Sequence, residues 1–217
     1  AEVSDTIWTT TLSGGVNVPF GRQRAYANGA LTHTRYSDLG GLDGQGYNLA
    51  AGLDWATVGN LSGSLTANAG RRQADFNTGI NTLSLKNNET YNELSARALL
   101  GGVGLWGIEA SLGYRRVDFS ATEFAAREYV QNSGSAGVIY RPSSALSLGT
   151  GLSVQYSDYD VPAFGQTIPD TSTRRDLYVS AQWAATGASN LGTRLNFGKT
   201  DYQRPNADDF SGVTGSV

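Results

Sequence analysis

Few side chains in this sequence could do chemistry. His33 is the only histidine, there is no cysteine, and Thr32 and Thr34 flank the imidazole. A hydrolase needs a nucleophile and a base in hydrogen-bond reach, with a third group orienting the base. His33 sits in no such spacing and reads as a rim or lumen residue. Without thiolates there are no disulfides or sulfur-ligated metal sites. The carboxylates match no metal-binding loop, the nearest approach being Asp158 and Asp160, which read as part of a solvated loop. No catalytic residue, metal ligand or cofactor is expected, and the chain is expected not to be an enzyme.

Polar side chains recur instead at alternate positions. Asn48, Asp54, Ser64, Asn68 and Arg72 fall opposite apolar neighbours in the first clear pair of strands. Glu93, Arg97, Glu109 and Arg115 do so in the second, and Gln155, Asp176, Tyr178, Gln182 and Arg194 further on. This pattern predicts a wall lining a water-filled lumen. Its charges could neutralise one another in pairs. Alternatively, Arg forks and amides could touch a passing polar, anionic polymer. Tyr178 reads either as a platform for a sugar ring or as a packed lumen residue.

The elements that hold this wall are strands. From Tyr47, every second residue is apolar or aromatic (Leu49, Ala51, Leu53, Trp55), while Asn48, Ala50, Gly52 and Asp54 alternate with them. Period two puts the two sets on opposite faces of a β-strand. Leu61, Leu65 and Ala69 return after a turn at Thr57 to Asn60. Tyr47 and Trp55 bracket the apolar stripe about 19 Å apart along a membrane normal, for a strand tilted by roughly 45°. Trp106 and Tyr114 bracket another stripe, through Ile108, Ala110 and Leu112. The sets Leu148, Leu152, Val154 and Leu177, Val179, Ala181, Trp183 continue the pattern, with Leu191, Leu195 and Phe197 returning. In the strand from Gln23 to Tyr36 the facing stays open, because Ala25, Ala27, Gly29 and Leu31 compete with Tyr26, Ala30 and Tyr36.

Expected short turns lie at Asn17 to Arg22, Thr57 to Asn60, Gly101 to Gly104, Arg141 to Ala145 and Thr186 to Asn190. Between them stand longer polar stretches: Ser37 to Gly44, Arg71 to Asn88, Val117 to Arg127, Ser157 to Thr173 and Lys199 to Phe210. Short turns at one rim and long loops at the other are the layout of an outer-membrane barrel. The fold expected is all-β: an antiparallel up-and-down transmembrane β-barrel, with ten strands visible and the start of an eleventh after Phe210. Residues 1–217 read as a single domain in the bacterial outer membrane.

Composition agrees. Of the 217 residues only 16% are charged, 28 are Gly, and there are 11 Tyr, 7 Phe and 4 Trp. Soluble domains carry more charge, and disordered chains fewer aromatics. A net charge of −3 argues against nucleic acid as a partner. No apolar run is long enough for a transmembrane helix, and only helices and closed barrels satisfy their backbone groups in lipid. The absence of Met and of a signal peptide suggests a mature or trimmed product.

The stretch from Gly21 to Trp55, GRQRAYANGALTHTRYSDLGGLDGQGYNLAAGLDW, resembles the EpsL-type outer-membrane proteins of exopolysaccharide biosynthesis operons, a β-barrel porin group. The likeness rests on Arg22, Gln23 and Arg24, on Arg35 and Tyr36, on Gly46 to Leu49, and on Leu53 to Trp55. Asp209, Phe210, Ser211 and Gly212 echo a later motif of the group, with Asp208 where that motif has Arg. Members of the group are longer than this chain, and Val217 is not the terminal aromatic with which such barrels commonly end. The resemblance implies an internal portion of a larger barrel, in which the first and last strands do not pair with each other. It implies a pore or conduit exporting exopolysaccharide beside a periplasmic polysaccharide-export protein. The implied partners are outer-membrane lipid, lipopolysaccharide and a polysaccharide chain. A plugged structural or surface-interaction barrel is the first alternative, and an outer-membrane lipid-modifying enzyme the second.

Overall fold

In the computed structural model, which describes residues 6–38, 40–74, 86–162, 170–186, 189–203 and 209–216, alternation becomes one long sheet. Its strands are β1 (Ile7–Phe20), β2 (Gln23–Tyr36), β3 (Gly44–Ala56), β4 (Leu61–Gln73), β5 (Asn88–Leu100) and β6 (Trp106–Phe119). β7 (Tyr129–Tyr140), β8 (Leu146–Asp158), β9 (Thr171–Thr186), β10 (Ser189–Tyr202) and β11 (Phe210–Ser216) follow. Each strand pairs antiparallel with the next in chain order, β1 through β11. β1 is hydrogen-bonded only to β2, and β11 only to β10, so the described sheet is open and its first and last strands do not pair.

The register fixes every face. Trp8, Leu12 and Val16 of β1 stand opposite Arg35, Leu31 and Ala27 of β2. Leu31 and Gly29 in turn face Tyr47 and Leu49 of β3. The odd residues of β2 therefore share the apolar face, and Tyr26 goes to the polar one. From there Leu53, Leu65, Ala96 and Leu112 run in one row across β3 to β6. The complementary row of Arg24, Asp54, Ser64, Arg97, Ser111, Ser135, Ser153 and Asp176 crosses β2 to β9.

The polar face is the concave one. Tyr178 on β9 donates to Glu109 Oε1 on β6 at 3.2 Å, across two intervening strands. Tyr91 on β5 likewise reaches Asn48 Oδ1 on β3 at 3.2 Å, over β4. Side chains converge like this only where a sheet curves toward them. On the other face they splay apart, leaving Leu12 72% and Leu112 69% exposed.

Several boundaries differ from the expected turns and loops. β1 continues through Val18 and Pro19 to Phe20, and the turn is only Gly21 and Arg22. Pro19 is tolerated because β1 lies at the sheet edge, where a missing N–H costs no ladder bond. Gly21 takes φ +64°, which an L side chain resists. The polar ends of expected loops are strand as well: β6 reaches Phe119, β8 reaches Asp158, β9 starts at Thr171 and β10 reaches Tyr202. A strand that rises past the lipid no longer needs an apolar face, so its ends look like loop in sequence.

Two loops hold single 3-10 turns, Gly40–Leu42 and Thr122–Arg127. The second tucks Phe124 against Phe119, rings 5.9 Å apart, beside the buried Val117 and Ala121. Leu42, in the first, is also buried. These apolar clusters sit at the long-loop rim. The central parts of three expected loops, 75–85, 163–169 and 204–208 (with Asp208), and the turn residues 187–188 lie outside the described residues.

Candidate functional site

Every residue expected to line the lumen stands on the concave face. Among the charged ones the registers create pairs. Arg24 faces Asp54 and holds it through Nε at 2.9 Å. Arg72 meets Glu89 at 3.0 Å, Arg97 meets Glu109 at 2.6 Å, and Arg115 meets Glu93 at 3.3 Å. Asp176 is gripped from two residues away on its own strand by Arg174, at 2.8 Å. Arg194 bonds Asn196 Oδ1 at 3.0 Å and lays its guanidinium over the Tyr178 ring, 3.9 Å from the centroid. Six arginines thus stand against five carboxylates, and each of these charges has a partner on the wall. Five of the six arginines are paired with carboxylates, and Arg194 is held by an amide and a ring.

Hydroxyls and amides occupy the space between pairs. Ser111 and Ser135 lie 2.7 Å apart, and Thr66 and Ser95 lie 2.6 Å apart. Ser64 and Ser153 extend the first row. Gln155 ends the second, in register with Ser133. Asn68 faces Glu93, and Gln182 faces Gly192.

Tyr178 is not a sugar platform. It is 2% exposed. One side lies against Gly137 and Gly151, where an added Cβ would come within 2.5 Å of the phenol oxygen. The other side is covered by Arg194. Two inward tyrosines missed in sequence are built the same way: Tyr26 rests on Gly52, and Tyr91 rests on Gly70. Their signal was a glycine directly across the register, visible only once the pairing is known.

His33 is exposed on the outward face of β2, opposite Thr10 and Gln45. Among the described residues no group of three His, Cys, Asp or Glu is placed to hold a metal ion. Asp158 points outward at the end of β8, in register with Val130. The aromatics form two separate sets on the outward face. Trp55, Trp106, Tyr140 and Trp183 stand beside short turns, with the Trp106 and Tyr140 rings 4.7 Å apart. Tyr47, Tyr114 and Tyr156 stand toward the long-loop ends. Such belts mark both boundaries of a bilayer.

An open-ended antiparallel sheet with an apolar convex face, two aromatic belts and a wet concave face defines a wall of an outer-membrane β-barrel. Known structures of that class agree. OmpT, an outer-membrane protein of Vibrio cholerae, matches 83% of this chain with a TM-score of 0.51 and 13% identity. The FrpB iron transporter of Neisseria meningitidis matches 97% of it with a TM-score of 0.63 and 9% identity, and the copper transporter OprC 97% with a TM-score of 0.59 and 13% identity. The chain spans 53% of that OmpT and 41% of each transporter. No family model and no curated relative matches it. At these identities the likeness establishes the fold alone; residence in the bacterial outer membrane follows from that fold together with the apolar convex face and its two aromatic belts.

The neighbours also correct one expectation. Proteins as different as this OmpT and metal transporters share the architecture at 9–13% identity, so the fold does not decide activity, and the exclusion of enzymatic activity is withdrawn.

Proposed function

We propose that this chain forms the wall of an outer-membrane conduit through which a polar polymer, an exopolysaccharide, leaves the cell. The supporting observation is the concave wall itself: five of its six arginines are paired with carboxylates, Arg194 is held by Asn196 and the Tyr178 ring, and hydroxyls and amides stand between them. A wall with its arginines already engaged offers little to a polyanion. It offers many weak, exchangeable hydrogen bonds to the hydroxyls of a neutral sugar chain, and nothing that binds too tightly to release it. The resemblance to the EpsL-type group supports the same cargo. It also supports a periplasmic polysaccharide-export protein as the partner on the short-turn side.

The test is conductance of the protein in planar bilayers with sugar polymers added on the short-turn side. Neutral polysaccharide fragments are expected to interrupt the current, and polyuronates of equal length to do so less. A membrane that stays non-conducting, or a current indifferent to every polymer, overturns the reading.

A further inference from the structure

On the concave side of the long-loop rim, one half is packed and the other is open. Over β6 to β8 rings fill the rim: Phe119 meets Phe124 at 5.9 Å between centroids, and Tyr129 meets Tyr159 at 5.5 Å. Over β2 to β5 the same rim holds a cleft of about 440 Å³. That volume falls within the range of small-molecule sites.

The register explains the cleft. Gly44 and Gly46 are the inward residues of β3 at this height, so no side chain rises from the middle strand. Thr34 and Thr32 stand directly across from them on β2, and Thr9 and Thr11 of β1 stand beyond those. Asn48, Arg72 and Tyr91 close the other flank. β2 and β4 are two strand spacings apart, about 9.5 Å, a gap that a sugar ring lying along the sheet can enter.

The flanks carry both donors and acceptors, with no net charge among them. Threonine hydroxyls do both. The Tyr91 hydroxyl donates to Asn48 Oδ1 at 3.2 Å, which leaves its own lone pairs and the Asn48 N–H groups for a ligand. Arg72 holds Glu89 through Nη2 at 3.0 Å, and the pair cancels. The glycine floor lets the C–H face of a ring approach the backbone closely. Such a surface suits a neutral polyol and gives an ion nothing to pair with.

Long loops mark the extracellular side, so the cleft lies where a departing polymer leaves the lumen. We infer that it is a saccharide subsite of the exit mouth, holding a short run of a neutral sugar chain by its hydroxyls through Thr32, Thr34, Asn48 and Tyr91. The inference takes its ligand class from the conduit proposed above, and adds where the chain is held and by which residues.

Saturation-transfer NMR tests it, on protein purified in a detergent without sugar headgroups. The probes are three neutral hexasaccharides (maltohexaose, cellohexaose and laminarihexaose) and an acidic one, hexagalacturonate. At least one neutral hexamer is expected to bind the unaltered protein, and the acidic one to bind more weakly. Thr32→Val with Thr34→Val removes two hydroxyls and is expected to weaken binding about tenfold. Thr10→Val with Thr90→Val, the same change at the same rim on the convex face, is expected to leave it unchanged. Gly44→Val is expected to abolish it. A Cβ there meets nothing nearer than Gln73 Oε1 at 3.4 Å, so the strand accepts the residue while its branches occupy the floor. Comparing neutral with acidic hexamer needs no variant to fold. Binding without conductance would overturn the conduit and leave this site standing. Polymer-blocked currents with no neutral hexamer bound, equal effects of the two threonine pairs, or equal binding of the acidic hexamer would overturn the site and leave the conduit.

Discussion

The two faces of this sheet are made by the same eleven strands, yet they are built on opposite logics. Between the rims of the convex face the aliphatic side chains act singly: leucines stand apart, and the environment, not a neighbour, stabilises them. On the concave face almost nothing acts alone. Arginines hold carboxylates on adjacent strands, tyrosines lie on glycines, and Glu109 accepts from both Arg97 and Tyr178. The convex face is specified by residue class, the concave face by residue identity and register. Substitutions should therefore fail for different reasons on the two sides.

The largest effect is expected from charge placed on the convex face at mid-strand. Leu112→Lys puts an ammonium where the side chain meets only hydrocarbon, at a cost of about 2–4 kcal/mol. Gln155→Lys, on the concave face, keeps its new charge in water and should cost under about 1 kcal/mol. Urea unfolding of each variant from lipid vesicles measures both. Equal losses would mean that the concave face is not wet, which would undo the contrast.

A smaller effect separates glycines. Gly151→Ala would bring a methyl within 2.4 Å of the Ala136 carbonyl oxygen and 2.5 Å of the Tyr178 hydroxyl. Backbone cannot yield cheaply, so a loss of about 1–3 kcal/mol is expected. Gly14, on the convex face of β1, has nothing within 4 Å of an added Cβ. Gly14→Ala should be neutral or mildly stabilising, because it removes freedom from the unfolded chain. Unfolding midpoints of the two variants give the comparison, and a costly Gly14→Ala would show that β1 packs against something on its outer side.

How much of this was legible in sequence follows the same division. Facing could be read wherever apolar and polar residues alternate cleanly, as from Tyr47 to Trp55, because lipid selects by class. It stayed open in β2, where alanines occupy both faces and only pairing with Leu12 and Leu49 decides. Lumen residues could be located but not partnered. Arg97 and Glu109 are twelve positions apart, and nothing in either residue says that the register will set Arg97 against Ser111, one row from Glu109. The resting places of Tyr26, Tyr91 and Tyr178 were hidden likewise. Strand ends were misread as loop because, beyond the bilayer, a strand's composition matches that of a loop.

The finest test compares one ion pair from each face. Glu109→Gln leaves Arg97 without its carboxylate and replaces the acceptor of the Tyr178 hydroxyl, all on a wall where the three groups are mutually braced. Arg97 is 59% exposed but Glu109 only 19%, so part of the loss is screened by water and part is not. A destabilisation of about 1–2 kcal/mol is expected. Arg116→Gln breaks the pair with Asp118 on the convex rim, where both partners are open to solvent and headgroups. Exposed pairs of this kind contribute less than about 1 kcal/mol. A double-mutant cycle on each pair isolates the coupling from the other effects of substitution. Coupling should be larger for Arg97 and Glu109 than for Arg116 and Asp118, and raised salt should shrink the second more than the first. Equal couplings with equal salt sensitivity would mean that the concave wall is as open to solvent as the rim, and that the bracing through Tyr178 adds nothing.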